Sequence, residues 1–443
     1  MLKTLRNAWA VPELRRKLLF TALIIVLYRL GSQIPVPFVD ASKLASISAY
    51  GDGSILDYLN ILSGNAFQRA TLFALSISPY ITASIVMQLL TIAIPALERM
   101  SKEGEDGRRK ITQITRWVTV VLGVITAYGY YTYLRASVAQ GGYDLLVSST
   151  VPRWLMAVVI VACYSAGAAL IMWMGEKINE FGIGNGISVI LFANIVARAP
   201  DVVSTLWKWI VVDGKFQILG LVKALVAVAI GLAVVTFVVF ITNSERRLSV
   251  QYAKKVVGRK MYGGQSTNLP LKLNMAGVMP IIFANSIIAL PGTIALMFGK
   301  TVNNTEGFLH GFLNVFNYTS WVYIMMFIVL IVAFSYFYIA ISFSPVEVAN
   351  NLRSNGGFIP GLRPGKATSD YITKILNKVT LIGAVFLAII AVAPLIVNRV
   401  AGNAVSGIAF SGSSLLIVVG VALEIVRDLE AQMTMRHYKG FLE

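Results

Sequence analysis

The sequence predicts an all-α polytopic membrane protein with ten transmembrane helices. Three observations carry this prediction. Hydrophobic residues make up 56% of the 443 and charged residues only 13%, whereas a soluble domain has about 45–50% apolar and about 25% charged residues. The apolar residues fall in long runs, and about 18 or more such residues can cross a bilayer as a helix. The connecting segments alternate between basic-rich and basic-poor, the pattern left by a chain that crosses a membrane repeatedly.

The elements follow in order. An N-terminal segment, 1–17, carries Lys3, Arg6, Arg15, Arg16 and Lys17. Spans are predicted at 18–37, 71–96, 111–134, 152–175, 183–199, 216–243, 274–298, 318–343, 373–397 and 406–426. The fifth is short and opens on a Gly-rich turn. The first apolar run is too long for a signal-peptide core and lacks a small-residue cleavage site, so no cleavable leader is expected. Loop 38–70 has only Lys43 and Arg69. The loop after span two is dense in Arg99, Lys102, Arg108, Arg109 and Lys110. The loop after span six holds Arg246, Arg247, Lys254, Lys255, Arg259, Lys260 and Lys272, and the loop after span eight adds Arg353, Arg363 and Lys366. Ten spans place all these basic segments on one side. The positive-inside rule makes that side cytoplasmic, with both termini inside. The chain then divides into an N-terminal half, 18–199, an external hinge loop, 200–215, and a C-terminal half, 216–430. Cytoplasmic loops 244–273 and 344–372 belong to the second half, and 431–443 forms a cytoplasmic tail.

Composition also limits the chemistry. The net charge of +17 reflects topology and attraction to anionic lipid, or else a docking face for something large and acidic such as ribosomal RNA. Cys163 is alone, so no disulfide forms within the chain, and with only His310 and His437 a histidine metal site is not expected. No cofactor is expected. Glu424 is the single carboxylate inside a span, near its cytoplasmic end, so no buried proton relay is visible. Arg29 and Lys223 read as side chains that reach toward the outer interface. His-Glu-x-x-His, Gly-x-Ser-x-Gly and paired mid-span aspartates are all lacking, so no enzyme is expected. An ion-coupled solute transporter of the inverted-repeat type stays open, because such proteins can bind sodium through backbone oxygens.

Some segments do not fit plain spanning helices. Residues 53–66 are apolar but too short to cross, and Ile55, Leu59 and Leu62 share one helical face. Gly51, Gly53 and Gly64 bracket them as flexible joints. A re-entrant reading implies a cavity on the outer side; a helix lying on the membrane surface is the alternative. Pro79 in span two and Pro280 in span seven each displace a helical carbonyl. Each is accompanied by polar residues, and each span is the second of its set of five. That pattern suggests two halves of opposed topology. In the long loops, Leu248, Val250 and Tyr252 alternate with polar residues, as do Leu269, Leu271 and Leu273, which predicts a two-stranded ribbon. Segment 345–366 reads as a short helix from Val346, followed by a loop in which proline and glycine frame Arg363.

The chain resembles the SecY family along nearly its whole length. The motifs that carry the resemblance are residues 73–85 (Phe-Ala-Leu-Ser-Ile-Ser-Pro-Tyr-Ile-Thr-Ala-Ser-Ile), 182–188 (Gly-Ile-Gly-Asn-Gly-Ile-Ser), Gln265-Ser266-Thr267 through Leu269-Pro270-Leu271-Lys272, 274–280 (Asn-Met-Ala-Gly-Val-Met-Pro) and 360–365 (Pro-Gly-Leu-Arg-Pro-Gly), with the charged run 104–110 in support. The resemblance implies two inverted five-helix halves around an hourglass pore, and a protein-conducting channel for secretion and membrane insertion in a bacterial plasma membrane. It implies a pore ring of Ile77, Ile81, Ile187, Leu191, Ile282 and Ile417, with Ile281 as a register alternative to Ile282. Leu191 stands where isoleucine is common in relatives. Residues 53–66 become a plug that presents Ile55, Leu56, Tyr58, Leu59, Ile61 and Leu62. Spans two and seven become a lateral gate with Ser84, Gln88, Asn285 and Ser286 at the seam. Arg259, Lys260 and Arg363 become docking residues. The implied partners are SecE-like and SecG-like subunits, the SecA motor ATPase, the translating ribosome, and signal peptides and nascent polypeptides.

Overall fold

Prolines and small polar caps set where the helices begin. In the computed structural model the described residues are 2–40, 60, 63–141, 151–212, 215–252, 255–257, 260–262, 266–297, 315–316, 320–401 and 412–439. Helix α1 (Leu2–Ala10) leads into α2 (Pro12–Gly31), which opens on its proline. A long irregular stretch precedes α3 (Ser78–Ala93), and α4 (Pro95–Lys102) departs from α3 at 99°. Then come α5 (Glu105–Gly141), α6 (Arg153–Phe181), α7 (Gly186–Val196) and α8 (Ala199–Ile210). Strands β1 (Val211–Val212) and β2 (Lys215–Phe216) turn the chain into α9 (Ile218–Asn243). After the strands of the next loop come α10 (Met279–Met297), α11 (Trp321–Ser342), α12 (Pro345–Ser354), α13 (Lys366–Ala401) and α14 (Gly412–Lys439).

Each of the ten predicted spans falls on a helix: α2, α3, α5, α6, α7, α9, α10, α11, α13 and α14. Among the described residues, six helical stretches are long and apolar enough to cross a bilayer, or seven with the bent α3–α4 pair. Helix α10 is shorter, and charged residues lie within α2 and α14.

Several expectations need correction. Span two becomes helical at Ser78, not at residue 71. Pro79 and Pro280 sit in the first turns of α3 and α10, where the missing N–H would have had no helical partner. They start helices rather than bend them. Segment 200–215, expected as a loop, holds most of α8 and the β1–β2 turn. The helix predicted from Val346 is present as α12; Ser344 caps it by accepting from the Glu347 N–H at 3.4 Å.

Helix packing repeats between the halves. α3 packs on α5, α5 on α6, and α6 on α7; α10 packs on α11, α11 on α13, and α13 on α14. The halves meet where α7 touches α14 and where α10 lies against α3 and α5. One apolar cluster joins both halves, with buried residues from Ile24 on α2 to Leu423 on α14. A second forms around Phe67, Tyr130 and Tyr164 at the other end of α5 and α6.

The predicted ribbon is present. β3 (Glu245–Tyr252) pairs antiparallel with β6 (Ser266–Lys272), with Leu248 opposite Leu269. A third strand, β7 (Gly357–Phe358), joins β3 on its other edge, which the sequence reading did not anticipate. Leu248, Val250 and Leu271 are buried there against Ile359 and Ile372. The loop after α11 therefore braces the loop after α9. Strands β4 (Lys255–Val257) and β5 (Lys260–Tyr262) form a small hairpin at its tip.

The α6–α7 junction is a close backbone approach in the N-terminal half. A Cβ on Gly186 would lie 2.0 Å from the Gly175 carbonyl oxygen, whereas a Cβ on Gly175 would meet nothing nearer than the side-chain methyls of Ile77 and Ile190 at 3.7 Å. Gly186→Ala is therefore expected to destabilise the protein by about 1–3 kcal/mol, the range for overpacking. Gly175→Ala is expected to be tolerated. Thermal melting of both variants in detergent separates the outcomes.

Candidate functional site: a vestibule, an apolar floor and the segment beyond it

The functional region grows from the Gly-rich turn at 182–186. Three of its backbone donors are satisfied by side chains from three different helices. The Ile183 N–H donates to Thr21 Oγ1 at 3.2 Å, Gly184 N–H to Asp428 Oδ2 at 3.1 Å, and Gly186 N–H to Asn179 Oδ1 at 2.7 Å. Asn185 caps α7 by accepting from the Ile187 N–H at 3.0 Å. The turn thereby links α2, α6 and α14 and fixes the face that α7 presents.

Beside this turn lies a cavity of about 620 Å³ with a polar mouth formed by Asn185, Lys272, Glu424, Arg427 and Asp428. Arg427 Nη2 donates to the Thr242 carbonyl at 2.7 Å and to Asn243 Oδ1 at 2.8 Å, satisfying the end of α9. Burial holds the Lys272 ammonium below its usual range, the nearby Arg427 adds to this, and Glu245 opposes it. Val278 and Leu416 also line the cavity, and both belong to the large apolar cluster. The cavity thus runs from charged groups onto a hydrocarbon floor.

The expected ring residues lie in that cluster. Ile77, Ile81, Leu191, Ile282 and Ile417 are buried members of it, and the partly buried Ile187 packs against it. Ile281 is buried there as well, so burial does not separate the two registers on α10. At the α3–α10 seam, Asn285 and Ser286 are buried, while Ser84 and Gln88 are half-buried. The Ser286 hydroxyl donates to the Ile282 carbonyl at 2.8 Å within its own helix.

Of segment 53–66, Ile55, Leu56, Tyr58, Leu59, Ile61 and Leu62 lie outside the described residues. Its C-terminal end is described and buried at Ser63 and Ala66. The chain that follows is joined to span one: the Val36 N–H donates to the Ala70 carbonyl at 3.1 Å, and the Leu72 N–H to the Ile34 carbonyl at 2.9 Å. Arg259 is also outside the described residues, and Lys260 starts β5. Arg363 is exposed between Gly361 and Gly365, both left-handed at φ +82° and +106°. Its carbonyl accepts from the Thr368 hydroxyl at 2.9 Å.

Sequence reasoning missed two groups. Arg29 does not simply reach for the outer interface; it is half-buried and donates to the Ala193 carbonyl on α7. Asn194 is fully buried, and its amide donates to Ser76 Oγ at 3.3 Å beside the Tyr28 hydroxyl. An asparagine within an apolar span was the available signal, because such a group requires a partner.

The SecY family model matches residues 71–426. The chain belongs to the SecY family. The protein translocase subunit SecY of Thermus thermophilus is 42% identical, over 100% of this chain and 98% of the relative. The solved SecY structure described in terms of a plug domain that stabilises the closed channel has a TM-score of 0.62 at 17% identity, covering 95% of this chain and 92% of that one. Sec61 from a canine ribosome–channel complex gives a TM-score of 0.57 at 16% identity, with the same coverage. These likenesses establish the SecY-family fold: an all-α multi-pass membrane protein whose ten helices form two inverted halves around a pore. The solute-transporter alternative finds no support among these relatives, since the SecY family is a family of channels.

The Asn194–Ser76 contact makes a stability prediction. Asn194→Ala removes one partner from a buried polar cluster, which costs about 1–3 kcal/mol. The variant is expected to melt earlier than the parent, measured on purified protein in detergent.

Proposed function

We propose that this chain is the channel subunit of a bacterial protein translocase, passing unfolded preproteins across the plasma membrane and releasing membrane segments sideways into lipid. Both termini face the cytoplasm in this reading, which puts the basic loops and the charged vestibule on the side from which substrate arrives. One observation carries the proposal. All six expected ring residues belong to, or pack against, the single apolar cluster that floors the vestibule.

Aliphatic side chains offer no hydrogen bonds, so such a ring neither selects nor holds a passing chain. Closed, it resists wetting and blocks ions. Residues 53–66 act as the plug beyond it, and the α3–α10 seam acts as the lateral gate. The channel is passive, so the energy comes from partners. These are the SecA motor ATPase and the translating ribosome, with a SecE-like clamp and a SecG-like subunit in the membrane. Anionic lipids attract the basic loops. The relative described within a ribosome–channel complex supports ribosome docking. Arg259, Lys260 and Arg363 are the docking residues.

Cysteine trapping tests the ring. With Cys163 replaced by alanine, single cysteines at residues 77, 81, 187, 191, 282 and 417 are expected to crosslink one stalled preprotein, while cysteines at neighbouring positions crosslink it poorly. Labelling of the six by lipid-soluble reagents, with no crosslink to the stalled chain, rejects the ring.

The docking loop has its own test. Arg363→Glu is expected to stop preprotein export in a reconstituted assay while leaving the protein inserted and folded. Arg363→Lys is expected to be partly impaired, because lysine lacks the planar two-pronged donor. Full export by the glutamate variant counts against the contact.

A further inference from the structure

We propose that Arg29 and Asp201 are positioning residues that clamp the C-terminal root of the plug and so set how readily the channel opens. The proposal rests on the reading of 53–66 as the plug. The root at Gly64–Asn65 is gripped from two sides. Asn65 Nδ2 donates to Asp201 Oδ2 at 2.7 Å, and Asp201 lies in the first turn of α8. A Cβ on Gly64 would lie 3.0 Å from the Asn194 carbonyl oxygen and 3.1 Å from both terminal nitrogens of Arg29. The Arg29 guanidinium is itself held by the Ala193 carbonyl at the end of α7. Gly64, expected as a loose joint, is therefore packed.

The root is also knotted internally. The Asn60 side-chain amide donates to Asn65 Oδ1 and to Gln68 Oε1, both at 3.3 Å. The Gln68 N–H donates back to Asn60 Oδ1 at 3.2 Å. Ser63 Oγ donates to the Asn60 carbonyl at 3.1 Å and accepts from the Phe67 N–H at 3.0 Å. The Tyr130 hydroxyl donates to the Phe67 carbonyl at 2.6 Å, and the Tyr164 hydroxyl to the Ala70 carbonyl at 3.4 Å. Any displacement of the plug that carries its root must first break the Asn65–Asp201 bond and withdraw Gly64 from Arg29. These contacts stabilise only the arrangement in which the root is seated. Asp201 follows directly on span five, in the segment that leads to the second half, so movement of the halves acts on the root through this bond.

A reversed pair provides the test. Asn65 has φ +69°, a conformation that asparagine and aspartate both tolerate. Asn65→Asp therefore adds no backbone strain but sets two carboxylates against each other. Asp201→Asn retains an acceptor oxygen for Asn65. The double variant restores one amide and one carboxylate with the donor reversed. The purified full chain with its membrane partners is placed in planar bilayers, and resting ion conductance is measured beside a variant lacking residues 53–66. Asn65→Asp is expected to raise conductance roughly tenfold, the ratio that about 1.4 kcal/mol produces. Asp201→Asn and the double variant are expected to match the parent, which a general folding defect would not do. If the deletion leaks while Asn65→Asp stays tight, or if the double variant leaks like the single one, the clamp is wrong and the plug reading stands. If the deletion itself is as tight as the parent, the plug reading fails and the clamp fails with it.

Discussion

Backbone polar groups cannot be left unpaired in hydrocarbon, and this constraint shapes the described non-helical segments between the membrane helices. The turn at 182–186 is satisfied by Thr21, Asn179 and Asp428, which come from three different helices. The stretch before α3 is satisfied by Ile34 on one side and by the Tyr130 and Tyr164 hydroxyls on the other. The end of α9 is satisfied by Arg427. Each non-helical piece is thus a point where distant parts of the chain are tied together. The same ties fix the directions in which α3 and α7 leave their turns.

A protein-conducting pore must seal without binding its cargo, and a hydrocarbon ring meets both needs. Polar ring residues would hydrogen-bond a passing backbone and would hold water when closed. The charged groups lining the vestibule are Lys272, Glu424, Arg427 and Asp428. Beyond them, Val278 and Leu416 begin the apolar cluster. Because that cluster takes residues from both halves, a relative movement of the halves alters its packing directly.

The loops after α9 and α11 show how a basic surface is held rigid. A basic loop alone would be flexible and would lose entropy on binding. Here the β3–β6 ribbon has its own small core, and β7 from the next loop closes one edge. Arg363 projects from the loop that contributes Ile359 to that core. Its exposed side chain therefore rises from a fixed base.

Local pattern alone determined the ten spans, the ribbon and the short helix after span eight, because hydropathy and alternation are properties of consecutive residues. Charge in the loops set an expected orientation for the same reason. The family motifs pointed to the ring positions, and same-face spacing supported the pairs Ile77/Ile81 and Ile187/Leu191. Tertiary structure decided what depends on partners far apart in sequence. Pro79 and Pro280 looked like kinks within long apolar runs, since hydropathy does not reveal where a helix begins. Arg29 looked like a side chain seeking water, yet it meets Ala193, which lies 164 residues away. Gly64 looked like a free joint until Arg29 and Asn194 were seen against it. The bond between Asn65 and Asp201 spans 136 residues, and neither residue has a local pattern that announces it. A side chain's own neighbours set its helix and its depth; only the packed bundle supplies the groups that satisfy it.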